Sequence, residues 1–274
     1  MIDIKRRKFK SPKVVEKRRR ARVNTLSLLF LGIVIVGGGL VYLSHLDKIN
    51  INNIKVSGNS VTSEKEIQAI ASKNLAGSYL GLFPKSNSFI YPEKIIKEEL
   101  LSNIKRIEDV EVGLDGFNNI FINIKERGPV AIWCQNKDEE ECYFLDLTGL
   151  IYSKAPKFSG NVFLKYFGEV EAPVLGKNFL KPEDFGALTS FVNLIKSMNL
   201  EIIEVSIDEN EDLRGKLEEE GEIIFNLRQD FNQLLEDVRT ILSDNKLKNS
   251  LEDEDIVLDY IDLRFGNKVF YKLR

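Results

Sequence analysis

The 274-residue sequence predicts an α+β protein: a single N-terminal transmembrane helix, a β-α-α-β-β domain, and a mixed β-sheet domain with two packed helices. Three observations support this prediction. An uncharged apolar segment lies near the N-terminus, short apolar segments alternate at strand spacing, and longer ones repeat at helical spacing. The predicted boundaries are 1–22 for a basic cytoplasmic tail, 23–46 for the membrane helix, 47–128 for the first domain and 129–274 for the second.

The membrane helix is predicted because residues 23–46 carry no formally charged side chain. At about 1.5 Å per residue, a helix of this length reaches roughly 36 Å, which exceeds a hydrocarbon core of about 30 Å. A cleaved signal peptide is the alternative. The length of the apolar segment, the long basic stretch before it and the lack of a clear A-x-A motif before Asp47 favour an uncleaved anchor.

The net charge of −3 conceals two blocks of opposite sign. Residues 1–22 contain eleven Lys/Arg and two Asp/Glu, a net charge of +9, which leaves −12 for the rest of the chain. The positive-inside rule therefore places the N-terminus in the cytoplasm and residues 47–274 outside it. A juxtamembrane basic cluster gains on the order of 1 kcal/mol per charge from anionic lipid. Lipid is thus the expected partner of the tail and nucleic acid is not, since Phe9 is its one aromatic residue.

In the first domain, alternating apolar residues over 49–56 predict a strand that ends at Ser57-Gly58-Asn59. Ser63 and Glu66 predict a capping box at the start of a helix, and residues 77–91 predict a long loop. Two further strands and one further helix complete the module. Pro92 is expected to open that helix, which turns Ile96, Leu100 and Ile104 inward, and the strands are centred on Val110–Leu114 and Ile120–Ile124.

The second domain combines short β-like segments with two amphipathic helices. Pro182 is predicted to open one helix and Asp230 to cap the other. Cys134 and Cys142 flank a short hairpin, and outside the cytoplasm they can form a disulfide if the strand register places them opposite each other. The predicted strands are Val130–Cys134, Cys142–Leu145, Val162–Phe167, Ile202–Ile207 and Ile223–Phe225.

The last residues predict a tight hairpin, because Gly266-Asn267 separates two β-like segments, Tyr260–Phe265 and Lys268–Leu273. No further strand follows in this sequence. An open outer edge can accept an added strand from a partner. The alternative is an edge that its lysines protect against aggregation.

Five segments of the sequence carry a family resemblance: Ile54–Ile67, Arg106–Val112, Asn118–Trp133, Tyr143–Tyr152 and Ile261–Val269. Taken in this order, they resemble the FtsQ/DivIB family of bacterial cell-division proteins and its polypeptide-transport-associated (POTRA) domain. Together with the basic tail and the single span they cover nearly the whole chain. The sequence departs from the family at Asn226-Leu227, where the family usually has a glycine.

The resemblance implies a non-enzymatic, single-pass scaffold of the cell (inner) membrane at the division septum. Such a protein recruits FtsB- and FtsL-type partners by β-strand addition and links early and late division proteins. The family binds these partners after a D-L-R-[YF] motif, whose aromatic residue here is Phe265. The partner-binding residues that the resemblance implies are Phe265, Asn267, Lys268, Val269, Phe270 and Tyr271.

The chain has one histidine, His45, which lies beside the apolar segment, and this restricts the kinds of catalytic site that it can form. Ser-His-Asp and Cys-His catalysis both need an imidazole next to the nucleophile, and a His-based zinc site lacks its ligands. We therefore expect no catalytic residues, metal, cofactor or small-molecule substrate. The alternative is a membrane-anchored, carboxylate-dependent cell-wall hydrolase with Glu209 and Glu211 as the residues to test. Runs of like charge are more typical of a solvated surface.

Overall fold

The computed structural model contains two compact units, Met1–Leu100 with Val110–Ile124 and Leu101–Asp109 with Lys125–Arg274. Its helices and strands, with one N-terminal apolar helix and a large mixed sheet, agree with the general architecture that the sequence predicts. The residues that the structure describes are 12–135, 137, 141–198, 200–242, 258–266 and 268–274.

The N-terminal helix, α1, extends from Pro12 to Ser44. Its part Arg19–Ser44 is long and apolar enough to span a membrane, with a mean hydropathy of 2.4. The helix thus extends further toward the N-terminus than the predicted span 23–46. The helix begins within the basic tail because Arg and Lys are good helix formers and Arg20 pairs with Glu16 one turn earlier, at 2.7 Å. It ends two residues before Leu46.

The first domain contains a three-stranded sheet in the order β1-β5-β4, with β1 parallel to β5. Its strands are β1 (Asn53–Ser57), β4 (Ile107–Asp115) and β5 (Asn119–Glu126), and its helices are α2 (Glu64–Leu75) and α3 (Glu93–Asn103). Apart from one small hairpin, this is the predicted β-α-α-β-β order. Alternate residues of β5 are buried, as expected for a sheet with one face on the core.

Three local predictions in this domain were wrong. Ser63 occupies the N-cap position of α2, but its side chain makes no capping hydrogen bond; its carbonyl oxygen accepts from the N–H groups of Glu66 and Ile67 instead. The predicted loop contains a hairpin of β2 (Ser78–Tyr79) and β3 (Phe83–Pro84). Ile104 is buried as expected but lies beyond the end of α3.

The second domain is a nine-stranded sheet in the order β14-β13-β12-β11-β10-β9-β6-β7-β8. The pairs β6/β9, β9/β10 and β12/β13 are parallel and the other pairs are antiparallel. The strands are β6 (Ala131–Cys134), β7 (Cys142–Leu145), β8 (Ile151–Lys154), β9 (Lys165–Phe167), β10 (Ile202–Ile207), β11 (Asp212–Leu217), β12 (Glu222–Asn226), β13 (Leu258–Phe265) and β14 (Lys268–Leu273).

Two helices, α4 (Pro182–Lys196) and α5 (Phe231–Leu242), contribute to the main core of this sheet. Pro182 lies at the start of α4, and the Asp230 carboxylate accepts a hydrogen bond from the N–H of Asn232 at 2.9 Å, so both predicted helix starts are confirmed. Buried aromatic rings join helices and sheet; the Phe191 and Phe225 centroids are 4.8 Å apart.

The register pairs Cys134 with Cys142, and the two form a disulfide. The strand register therefore places the two cysteines opposite each other, as the predicted disulfide requires. Both side chains belong to a small second apolar cluster with Ile132 and Phe167. These residues alternate along their strands with members of the main core, so the second cluster lies on the opposite face of the sheet.

Two strands of the sheet, β8 and β11, were not predicted. In β11, charged residues and Gly215 interrupt the apolar pattern, yet Leu213 and Leu217 are buried on the core face. Gly215 lies so close to the Ile202 side chain that an added Cβ would be 3.0 Å from it. Neighbouring strands therefore impose the extended conformation that the local sequence only weakly favours.

Candidate functional site

The terminal hairpin of β13 and β14 forms one edge of the nine-stranded sheet. The antiparallel register pairs Ile261 with Tyr271 and Asp262 with Phe270, and it is irregular between Asp262 and Phe265. Within the described residues, the outer edge of β14 makes no backbone hydrogen bond to another segment. A row of N–H and C=O groups is therefore available to an added strand.

The opposite edge of the same sheet, β8, is covered. The N–H of Ile151 donates to the carbonyl oxygen of Lys177 at 2.8 Å, and the N–H of Gly176 donates to the carbonyl oxygen of Ile151 at 2.7 Å. Leu150 and Asn178 form an isolated bridge beside them. Of the two edges of the nine-stranded sheet, only the β14 edge is thus open within the described residues.

Two exposed aromatic side chains flank the open edge. Phe265, at the end of β13, is 55% exposed, and Phe270, in β14, is 49% exposed. Their ring centroids are 5.1 Å apart at an interplanar angle of 85°. Val269 instead packs against the main core. The outward aromatic pair supplies an apolar contact surface, while the inward side chain holds the strand on the sheet.

Arg264 fixes the end of β13 next to this pair. Its guanidinium donates to both oxygens of Asp262, at 2.9 and 2.6 Å, and to Asp212 of β11 at 2.6 Å. It also lies 5.8 Å from the centroid of the Phe265 ring. Burial alone would raise the pKa of Asp262, but the hydrogen bonds from Arg264 outweigh burial and lower it. The carboxylates in turn raise the pKa of the Arg264 guanidinium above its usual value.

The last residue of β12 and the segment between β12 and α5 complete this support. The side-chain amide of Asn226 donates to Asp212 at 2.8 Å, and that of Gln229 donates to the carbonyl oxygen of Leu263 at 2.8 Å. The hydrogen bond from Asn226 is the leading cause of a lowered pKa of Asp212. Glycine at position 226 would lack the side chain that makes this hydrogen bond.

The hairpin brings together five of the six residues that the resemblance pointed to: Phe265, Lys268, Val269, Phe270 and Tyr271. Asn267 lies outside the described residues. Sequence reasoning missed Arg264 and Asp212 as supports, although the arginine stands within the D-L-R-F string. Lys268 and Lys272 are the lysines of β14 that could protect its edge against aggregation. The ammonium of Lys272 binds the carboxylate of Asp259 on the neighbouring strand at 2.8 Å.

A cleft of about 960 Å³ is a second candidate site. The strands β6, β9 and β10 are parallel, so the residues that follow them meet at one end of the sheet. These residues, Gln135, 168–171 and 208–210, line the cleft together with Trp133 and Phe179.

The cleft does not bring together the two carboxylates considered for catalysis. Glu209 lines it, whereas the carboxylate of Glu211 binds the guanidinium of Arg228, which lowers the pKa of Glu211. Asp208 is used in the turn, where it accepts the N–H groups of Asn210 and Asp212. Among the described residues, no three His, Cys, Asp or Glu side chains are grouped to hold a metal ion.

Comparison of the sequence with models of known protein families finds no match, and comparison with curated protein sequences finds no significant match.

Proposed function

We propose that this chain is a non-enzymatic, bitopic membrane scaffold of the bacterial divisome. It recruits FtsB- and FtsL-type partners by β-strand addition and links early and late division proteins during septum formation. The observation that carries the proposal is the open outer edge of β14 beside an exposed aromatic pair. The order of the FtsQ-like segments along the chain supports it.

Strand addition uses the two kinds of group that this edge offers. The outer side of β14, which is unpaired within the described residues, supplies backbone hydrogen bonds that are independent of sequence, and Phe265 and Phe270 supply side-chain specificity. Burial of exposed aromatic rings contributes strongly to protein interfaces, where such residues are often hot spots. The Arg264 cluster holds the edge in place before the partner arrives, so less conformational entropy is lost on binding.

The proposed topology rests on α1. In this arrangement Arg19–Ser44 crosses the cell membrane, the basic tail stays in the cytoplasm on anionic lipid, and both domains lie outside. The partner-binding edge then faces the compartment in which division proteins assemble the septum.

The proposal is tested by capture of FtsB- and FtsL-type ectodomains from the same organism on the full chain in nanodiscs. A variant with Phe265→Ala and Phe270→Ala should weaken binding. Loss of an aromatic hot spot costs about 2 kcal/mol, which is roughly a 30-fold rise in Kd. The matched control is Leu147→Ala, which removes an exposed apolar side chain near the covered β8 edge.

Capture by the wild type and by Leu147→Ala, with loss in the double variant, supports the proposed edge. Equal capture by all three would move the binding surface elsewhere. No capture by any of them would remove the support for a divisome scaffold. Circular dichroism must show the same secondary structure for each chain.

The cleft at the end of β6, β9 and β10 allows a test of the alternative function, a carboxylate-dependent cell-wall hydrolase. Its carboxylates, Glu169, Glu171 and Glu209, surround a space large enough for a ligand. If the chain were a carboxylate-dependent hydrolase, purified protein would cleave peptidoglycan and Glu209→Gln would abolish that cleavage with the fold intact. Under the scaffold proposal, no cleavage is expected and Glu209→Gln leaves partner capture unchanged.

A further inference from the structure

A clamp of three asparagines joins α1 to the first domain. The amides of Asn50 and Asn87 donate to the carbonyl oxygen of Ser44, at 3.0 and 3.1 Å, and the amide of Asn118 donates to that of Asp47 at 2.5 Å. The last carbonyl groups of a helix have no partner within the helix. Here Asn50 and Asn87 supply partners for the last carbonyl of α1, that of Ser44, and Asn118 binds the segment that follows, so the helix end and the adjoining surface of the domain are held together.

Exposed apolar side chains lie directly beside this clamp. Phe89 follows Asn87 by two residues and is 70% exposed, and Phe117 precedes Asn118 and is 58% exposed. The two ring centroids are 5.8 Å apart. These rings therefore lie next to the end of the helix proposed to cross the membrane.

The small hairpin of β2 and β3 also lies beside α1. The strand β3 lies against α1, and the hairpin turn carries Leu80, which is 92% exposed, and Leu82. Ile90 is also exposed and follows Phe89. Single exposed apolar residues are ordinary, but a group of them on one surface marks a contact site for a protein partner or a membrane.

We propose that Leu80, Leu82, Phe89, Ile90 and Phe117 form a membrane-contacting rim, defined here by these five residues. The rim enters the interfacial region of the extracytoplasmic leaflet and fixes the orientation of the first domain on the bilayer. The occupant is lipid because the rim adjoins the end of the proposed span, and exposed Phe and Leu side chains next to a membrane are of the kind that enter the boundary between headgroups and acyl chains. The inference rests on the part of the proposed function that places α1 in a membrane.

The geometry also defines a side chain that must stay in water. β1 starts beside the clamp, where the N–H of Asn52 donates to Asn118, and it leads away from it for about 13 Å, at about 3.3 Å per residue. Val61 follows the far end of this strand and is 68% exposed. It matches Phe89 in exposure but lies at the other end of the domain.

The test is quenching of tryptophan fluorescence by two sets of lipids, brominated near the headgroup end and near the middle of their chains, on the full chain in vesicles. Phe30→Trp, Phe89→Trp and Val61→Trp each add one tryptophan to the buried Trp133, whose signal in the wild type is subtracted. A side chain that enters the interface by roughly 5–10 Å should lose about half of its added emission. We expect quenching at positions 30 and 89 and none at position 61.

The other outcomes separate the rim from the anchor. Quenching at position 30 alone would overturn the rim and leave the membrane anchor intact, so that the apolar surface would be assigned to a protein partner. Quenching at all three positions would indicate general adsorption of the domain and would overturn a specific rim. No quenching at any position would show that α1 is not in the bilayer. This outcome would contradict both the membrane anchor and the rim.

Discussion

Arg264 is bound to two carboxylates from different strands, Asp262 and Asp212, whose side chains are largely buried. Arg264→Gln removes the charge and leaves both carboxylates without their cation. Loss of a charged hydrogen-bond partner costs about 1.5–3 kcal/mol, and we expect a decrease of this size in the free energy of unfolding, measured with urea. Arg214→Gln is the control, because the Arg214–Glu222 pair is exposed and should contribute under about 1 kcal/mol. Equal effects of the two variants would contradict a special role for Arg264.

Asp146 begins the turn between β7 and β8, and its carboxylate ties that turn to Arg127. One oxygen accepts from the Thr148 hydroxyl and from the N–H groups of Thr148 and Leu150; the other accepts from Arg127 at 2.5 Å. Burial alone would raise the pKa of Asp146, but these hydrogen bonds together lower it. Its folded-state pKa thus lies below an unfolded value of about 3.9.

A lowered carboxyl pKa contributes stability that is present above the unfolded pKa and is lost as the pH falls through the folded pKa. Asp146→Asn should therefore destabilise the protein at pH 7, and the difference from the wild type should shrink as the pH falls below about 4. Thermal unfolding of both chains between neutral and acidic pH measures this difference. A difference that stays constant with pH would show that the ionised carboxylate is not the cause.

At the scale of elements, the β6–β7 hairpin is cross-linked by Cys134 and Cys142, which are 8 residues apart in sequence. In the loop-entropy account, a cross-link that closes so short a loop stabilises a protein by about 2.5 kcal/mol. Reduction of the wild type should lower its melting temperature. A variant with alanine at both positions should melt near the reduced wild type and be insensitive to reductant. Unchanged melting on complete reduction would contradict a stabilising cross-link.

At the scale of the whole molecule, charge and hydropathy are separated along the chain, with a +9 tail, an apolar helix and an acidic remainder. Glutamine at Arg18, Arg19, Arg20 and Arg22 lowers the tail charge to about +5 and weakens the positive-inside signal. We expect a smaller fraction of chains with the domains outside, measured by protease accessibility in spheroplasts. Lysine at the same positions should preserve the orientation. Unchanged orientation in the glutamine variant would show that these arginines do not determine it.

Local periodicity was a sufficient guide to helices with a strong apolar face. In α4, Phe185, Leu188 and Ile195 are buried as their spacing predicts. An uninterrupted apolar segment likewise identifies α1. Boundaries were less predictable: α1 ends at Ser44, whose carbonyl oxygen accepts from the amide of Asn87, 43 positions away in the sequence. Local propensity carries no information on such distant partners.

The sequence by itself determined the helices, the terminal hairpin and the asymmetry of charge, because each depends on residues close together in the chain. Only the tertiary structure decided that β14 lies at the edge of the nine-stranded sheet, that β8 is covered, and that Cys134 lies opposite Cys142. It also joined Arg264 to Asp212, which lies 52 positions earlier. Sheet order and register arise from packing between distant segments, and the weakly patterned β11 became a strand only because its neighbours paired with it.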